Sequence, residues 1–341
     1  MTKLIIQIPC LNEAEVLPET LAKLPRSLPG IDAIEYLIID DGSSDDTSGV
    51  AQRWGVHHIV RHRRNRGLAE AFRNGIDRCL AEGADIIVNT DADGQYAGED
   101  IGTIVAPVAA GEADIVVGDR SVAENAHFHP FKRLLQRLGS SVVRTLSATD
   151  ITDAVSGFRA MTRDAAQRIN ITTEFSYTTD MLIQAGRKRL AIKSVPIRTN
   201  SATRPSRLFK SIPSFIMSQA MTITRAYTTF NALRVFVLLG AALTALGLLP
   251  IARFLWFVLL GDGSGHIQSL VIGGALLVVG VLVTTLGVLA DLIATNRKLM
   301  EASMLKLRRI EEKLDVIEET RGKDTAKPAD GHSADPIRAA S

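Results

Sequence analysis

A chain of 341 residues exceeds the common single-domain range, so one sizeable globular domain is accompanied by something further. With 22% charged residues and a mean hydropathy that is still positive, +0.14, the apolar residues must be gathered into runs. The net charge of +2, with no basic stretch interleaved with aromatics, lacks the electrostatic footprint of a nucleic-acid binder, so no nucleic acid is expected as a partner.

Taken in chain order, Met1-Thr2-Lys3 passes directly into an apolar run with no basic leader, so no cleaved signal peptide is expected. Residues 4–8, 36–39, 86–88 and 115–117 are short apolar runs suited to strands buried on both faces of a parallel sheet. Residues 13–23, 46–54 and 68–81 are the crossover helices between them. This alternation predicts an α/β doubly wound sheet, whose ligands bind beyond the carboxyl ends of the strands. Residues 206–229 carry Leu208, Ile212, Phe215, Ile216 and Ile223 at helical spacing among basic and hydroxyl residues, which predicts an interfacial amphipathic helix. Residues 235–260 and 270–290 are each long enough to cross a hydrocarbon core of ~30 Å.

Arg204, Arg207, Lys210, Arg225 and Arg234 precede the first apolar run, and Arg297, Lys298, Lys306, Arg308 and Arg309 follow the second. The connector between the runs has no Lys or Arg, which places both chain ends in the cytosol, as an integral protein of the plasma or inner membrane. Arg253, near the outer end of the first run, is expected to snorkel to the interface. Met300, Leu307, Ile310, Leu314 and Ile317 then recur at three-and-four spacing, as in a short coiled coil or an amphipathic helix, and from Arg321 the chain is expected to be disordered. Cys10 and Cys79 lack metal-ligand spacing, and a reduced compartment is the simplest reading.

Chemistry is carried by the turns at the carboxyl ends of the strands. The first strand runs into Pro9-Cys10-Leu11-Asn12-Glu13 and the second into Asp40-Asp41-Gly42-Ser43-Ser44-Asp45-Asp46-Thr47. A helix cap explains Ser44 or Asp45, but not an acidic pair at a strand's carboxyl end, where carboxylates accept hydrogen bonds from a base or a ribose. The third strand leads into Asp91-Ala92-Asp93-Gly94-Gln95. Two alternating carboxylates and a carboxamide at the mouth of a sheet suit Mg²⁺ or Mn²⁺ holding a diphosphate, with the metal neutralising the charge on a leaving group.

These stretches, together with Asn65-x-Gly67-Leu68 and Ser156-Gly157-Phe158-Arg159, come in the order seen in family 2 glycosyltransferases of the GT-A fold. Residues 3–210 resemble most closely the polyprenyl-phosphate glycosyltransferases, which include dolichyl-phosphate mannose synthase and undecaprenyl-phosphate sugar transferases. The resemblance implies that Asp91, Asp93 and Gln95 hold the metal and diphosphate, and that Pro9, Asn12, Glu13 and Asp40 form the nucleotide-binding edge. Asp41 and Asp91 are placed with that edge. Arg120 and Arg137 match phosphate-binding residues, with Arg133 a further candidate, and Asp93, Arg120 and Arg137 form the catalytic set. Arg204-Pro205-Ser206-Arg207 falls where the family binds the acceptor phosphate, with Pro205 and Arg207 replacing Gly and Lys; Ala69 replaces Gly, and Asp180 replaces Glu.

A phosphate acceptor also makes chemical sense, because it is ionised near neutral pH and attacks the anomeric carbon without a general base. Positioned arginines are what such a site needs. The expected organisation is a GT-A catalytic domain with a mostly parallel, Rossmann-like sheet over residues 1–205, an interfacial helix over 206–232 and two transmembrane helices over 233–294. A cytosolic helix or short coiled coil over 295–320 and a disordered tail over 321–341 complete it. The expected partners are a nucleotide-sugar donor (UDP- or GDP-hexose), a polyprenyl phosphate, the bilayer and further copies of the chain, with inversion at the anomeric centre. A processive polysaccharide synthase normally adds more spans and a Gln-x-x-Arg-Trp motif that Gln52-Arg53-Trp54 does not match, and the intact Asp-x-Asp-Gly-Gln argues against a catalytically silent scaffold.

Overall fold

The computed structural model describes residues 1–120, 151–171, 177–200, 212–261 and 266–325. Its chain order is β1 (Lys3–Cys10), α1 (Leu17–Ala22), β2 (Ala33–Asp40), α2 (Thr47–Arg53), β3 (His58–Arg61), α3 (Leu68–Ala81), β4 (Ile86–Asn89), α4 (Ile101–Ala109) and β5 (Ile115–Asp119). It continues with β6 (Arg159–Thr162), α5 (Arg163–Arg168), α6 (Tyr177–Arg187), β7 (Ile192–Pro196), α7 (Ile212–Leu259) and α8 (Ile267–Thr325).

Among the described residues the strands form one sheet in the order β3-β2-β1-β4-β6-β5-β7. β1 pairs in parallel with β2 and β4, β2 with β3, and β5 with β7, while β6 runs antiparallel between β4 and β5. The sheet is therefore mostly parallel, and the carboxyl ends of β1, β2, β4 and β5 open on one edge. The antiparallel strand is the departure from a purely parallel doubly wound sheet. Its four residues, Arg-Ala-Met-Thr, lack the apolar run by which the other inner strands can be read.

Side chains alternate along the strands, and both faces are covered. Ile5, Leu37, Ile39 and Ile87 pack on one face with Phe72 of α3 and Met181 of α6. Leu4, Ile6, Ile38 and Val88 pack on the other with Leu17 of α1 and Ile104 of α4. Each such fully buried side chain is worth ~1.5–3 kcal/mol over exposure. One polar pair interrupts this core: buried Gln7 of β1 donates from Nε2 to Asn89 Oδ1 at 3.0 Å. Gly75 brings α3 down onto that pair, since a Cβ there would lie 2.9 Å from Ile39 Cδ1 and 3.1 Å from Gln7 Cδ.

α6 contacts α7. The amphipathic stretch, described from Ile212 onward, and the first apolar run form one continuous helix, and α8 likewise carries the second run on through Thr325, past the point where the sequence predicts disorder. Leu233–Leu259 and Ile267–Leu307 are long and apolar enough to cross a membrane. The two helices approach through glycines a heptad apart: a Cβ on Gly247 would lie 2.8 Å from Gly273 O, and one on Gly280 2.7 Å from Thr244 N. Gly274 has no such neighbour and faces away from this contact. Near the carboxyl end of α7, the Arg253 guanidinium lies 5.7 Å from the centre of the Phe257 ring.

Candidate active site

β1 and β2 end side by side, Cys10 opposite Asp40, so the turns after them face each other. Asn12 takes a left-handed conformation (φ 56°), which asparagine tolerates better than most residues. Its N–H donates to Ser43 Oγ (2.9 Å), and its Oδ1 accepts from the Ser44 amide (2.8 Å) and hydroxyl (3.0 Å). The Glu13 amide donates to Thr47 Oγ1 (2.9 Å), completing a latch between the turns. Pro9 lies on β1 where the latch begins. Fully buried Asp40 accepts from the Ser43 amide (2.8 Å) and from the Ser48 hydroxyl, with Arg61 Nε 3.5 Å away.

Asp41 is bound differently. Its Oδ1 meets His62 Nδ1 (2.7 Å) and accepts from the Arg66 amide (2.8 Å), while Oδ2 accepts from the Gly67 amide (2.9 Å). His62 is buried, with its Nε2 2.8 Å from Asn74 Nδ2. Gly42, at φ 75°, is required where this turn meets the next loop, because a Cβ there would lie 2.6 Å from the Asn65 amide nitrogen. Asp41 thus clamps the loop after β3 against the acidic turn. Cys10, beside it, is buried, and burial, then Glu13 and Asp40, push its thiol well up, so it supplies no thiolate.

β4 delivers the second acidic turn. Asn89 donates from Nδ2 to Gly157 O (2.8 Å) and to Tyr177 Oη (3.2 Å), and the Gly157 amide donates to Tyr96 Oη (3.1 Å). This seats the Ser156-Gly157-Phe158-Arg159 stretch beside Asp91, where a Cβ on Gly157 would lie 3.3 Å from Asp91 Oδ1. Thr20 Oγ1 donates to Ala92 O (2.8 Å), Asn200 donates from Nδ2 to Gly94 O (2.9 Å) and from its amide to Gln95 O (2.8 Å), and the Gln95 amide donates to Asp93 Oδ1 (3.1 Å). The turn is rigidly braced through its backbone. No described residue donates a hydrogen bond to the half-buried Asp91 carboxylate. Burial, then the Asp93 carboxylate, push Asp91 up to about 7; Arg120 opposes this and Glu13 adds to it. The Glu13 contribution also shows that the two turns lie within electrostatic reach of each other.

Arg120 follows β5 and forks onto Asp153: Nε to Oδ2 at 2.7 Å and Nη2 to Oδ1 at 2.9 Å. Burial disfavours its charge, but Tyr96, Asp153 and Asp91 together hold its pKa above the ordinary arginine value. Arg159 is fully buried and donates to the carbonyls of Ser156 (2.8 Å), Thr178 (2.8 Å) and Ala154 (2.9 Å), fixing the loop that carries Asp153. Burial lowers Arg159 to about 10, which leaves it charged near neutral pH.

The structure therefore gathers Pro9, Asn12, Glu13, Asp40, Asp41, Asp91, Asp93, Gln95 and Arg120 at one edge of the sheet. Arg133, Arg137, Arg204, Ser206 and Arg207 lie outside the described residues. His62 and Asp153 are partners that the sequence reading does not single out, and Arg159 enters it only as a motif letter. Among the described residues no three acidic, histidine or cysteine side chains converge as a closed metal cage. The donors present fit a Mg²⁺-type ion all the same, since such an ion takes one or two carboxylates and completes its shell with water and substrate phosphates. A carboxylate raised to about 7 beside a second one is relieved by a cation.

The profile of "Glycosyl transferase family 2" matches residues 5–169. An uncharacterized protein of Methanocaldococcus jannaschii is 32% identical over 202 residues, 58% of this chain and 81% of the relative. The polyprenol monophosphomannose synthase of Mycolicibacterium smegmatis is 28% identical over 204 residues, 57% of this chain and 76% of the relative. Among solved structures, glucosyl-3-phosphoglycerate synthase from Mycobacterium tuberculosis in complex with Mg²⁺ and uridine diphosphate superposes with a TM-score of 0.50 at 19% identity, over 65% of this chain and 79% of that one. The fold is shared at that distance: a mixed α/β sheet of GT-A type.

Proposed function

The chain belongs to glycosyl transferase family 2, and from that premise we propose that it is an inverting enzyme that moves a hexose from a UDP- or GDP-sugar to a polyprenyl phosphate at the cytosolic face of a membrane. The observation that carries the reading is the braced Asp91–Asp93 turn at the carboxyl end of β4, where Asp91 accepts no hydrogen bond from any described residue and is pushed up to about 7 by burial and by the neighbouring Asp93 carboxylate. The acceptor class is supported by the polyprenol monophosphomannose synthase among the relatives and by the two apolar helices.

In this reading Asp91, Asp93 and Gln95 hold Mg²⁺ or Mn²⁺, which when bound offsets the negative charge of the departing diphosphate. Asn12 and Glu13, on the latched turns, take the nucleoside, while Asp40 and Asp41, whose oxygens are taken within the fold, shape the turn and the loop beside them. Arg120 holds a permanent positive charge at the phosphate side, steadied by Asp153. An ionised acceptor phosphate needs no proton removed, so Asp180, which is buried and accepts from Gln184 Nε2 at 2.9 Å, has no required role as a base. Residues 1–205 form the catalytic domain, 206–232 the approach to the membrane, 233–294 the anchoring hairpin and 295–325 a cytosolic helix.

The test is product formation by the full chain in lipid, with a panel of UDP- and GDP-sugars offered against polyprenyl phosphate and against free polyprenol. Transfer to the phosphate alone, and only with a divalent ion, is expected. Equal use of polyprenol, or full activity in excess chelator, overturns the reading.

A further inference from the structure

The segment of α8 that begins at Leu299 forms a compact unit of its own. Its apolar residues fall into a heptad register: Met300, Leu307 and Leu314 occupy position a, and Ser303, Ile310 and Ile317 occupy d. Its described apolar side chains are exposed, Met300 by 64%, Leu307 by 58%, Ile310 by 52% and Leu314 by 52%. The one polar residue in the seam, Ser303, satisfies its hydroxyl within the helix by donating to Leu299 O (3.0 Å).

The flanking positions decide the occupant. Position g holds Lys306 and Lys313, and position e holds Glu311 and Glu318. In parallel, in-register helices each g faces the e five residues on in its neighbour, so Lys306 meets Glu311 and Lys313 meets Glu318. In antiparallel helices g faces g and e faces e, which opposes like charges. Leucine at a with isoleucine at d favours three or four helices over two. Leu299 at g and Met304 at e, 64% and 52% exposed, broaden the apolar seam at its start, as a wider bundle requires.

We propose that residues 299–318 join three or four copies of this chain as a parallel, in-register coiled coil. The seam is short, and so weak between free helices. Helices tethered to a common membrane meet at high effective concentration, and copies inserted with one orientation present their tails side by side. The inference rests on that insertion but not on the transferase activity.

The experiment uses the full chain in membranes carrying Ser303→Cys or, on the outward f position, Glu312→Cys. Cys10 and Cys79 are buried, so the introduced thiol is the one that reacts. Oxidation is expected to link Ser303→Cys copies about tenfold faster than Glu312→Cys copies, because only an in-register d layer sets the thiols face to face. Adding Lys306→Glu and Lys313→Glu is expected to suppress that link. Mixing these copies with differently tagged ones carrying Glu311→Lys and Glu318→Lys restores it between the two kinds. The mass of the native protein in nanodiscs is expected to correspond to three or four copies. Equal linking at both positions, indifference to charge reversal, or a mass of one or two copies overturns the proposal. Labelling the Ser303→Cys thiol with an impermeant maleimide, from each side of sealed vesicles, separates failure of the coil from failure of the assumed insertion.

Discussion

Two acidic turns flank β1, one after β2 and one after β4, and the fold treats them in opposite ways. Asp40 and Asp41 are saturated: amides, a hydroxyl, a histidine and an arginine surround them, and they hold the first turn and the loop after β3 in place. In the second turn the backbone is braced from Thr20 and Asn200, while Asp91 receives no hydrogen bond from any described residue and is pushed up to about 7. Equal residue types at equivalent strand ends thus differ in what their charge is for. A carboxylate whose oxygens are all taken organises the chain, whereas one held in an unfavourable field on a rigid turn is suited to a cationic ligand.

The comparison is broken most forcefully at Asp93. Asp93→Ala is expected to lower turnover about a thousandfold, ~4 kcal/mol of barrier, with the circular dichroism unchanged. Survival of activity would make the second turn as structural as the first. Next in size is Asp153→Asn, which releases Arg120 from its fork and lets it compensate Asp91 instead. Cation affinity, read by calorimetry with a nucleoside diphosphate present, is expected to fall about tenfold through the added competing charge.

The pH dependence of that affinity is smaller and of fixed sign. Asp91 must ionise to bind a cation and its pKa is raised, so affinity climbs as pH rises towards 7, by at most about tenfold per unit, and flattens above it. By the same linkage the cation-free protein loses stability as pH rises from the ordinary carboxylate range through 7, and Asp91→Asn removes this contribution from melting curves. The smallest effect on chemistry is expected at Asp41. Asp41→Asn strands the Arg66 or Gly67 amide and costs roughly 1–3 kcal/mol of stability, with turnover changed less than about tenfold at a temperature where the protein is folded.

What the sequence discloses depends on the physics of each element. β1, β2, β4 and β5 carry stretches buried on both faces and so read as apolar runs, broken in β1 by Gln7. β3 and β7 are edge strands with no fully buried residue, His58 and Lys193 among them, and β6 is held by neighbours on both sides despite an arginine in its first position. Such strands are specified by partners distant in sequence. The acidic turns are legible because they come directly after legible strands. The Arg120–Asp153 fork spans 33 residues, and the Asp41–His62 contact joins loops from two strands, so neither has a local signature. Nor does the sequence distinguish a saturated carboxylate from an uncompensated one, because that difference lies entirely in the donors brought around it by folding.

The central claim is that the Asp91–Asp93 turn, and not the Asp40–Asp41 turn, receives the cation with its diphosphate. Electron paramagnetic resonance of Mn²⁺ with uridine or guanosine diphosphate tests it directly on the full chain, its Asp93→Ala variant and its Asp41→Asn variant. The account predicts that the native protein and Asp41→Asn sequester the ion alike and that Asp93→Ala leaves it free in solution. Undiminished binding by Asp93→Ala, or equal loss in Asp41→Asn, would contradict it.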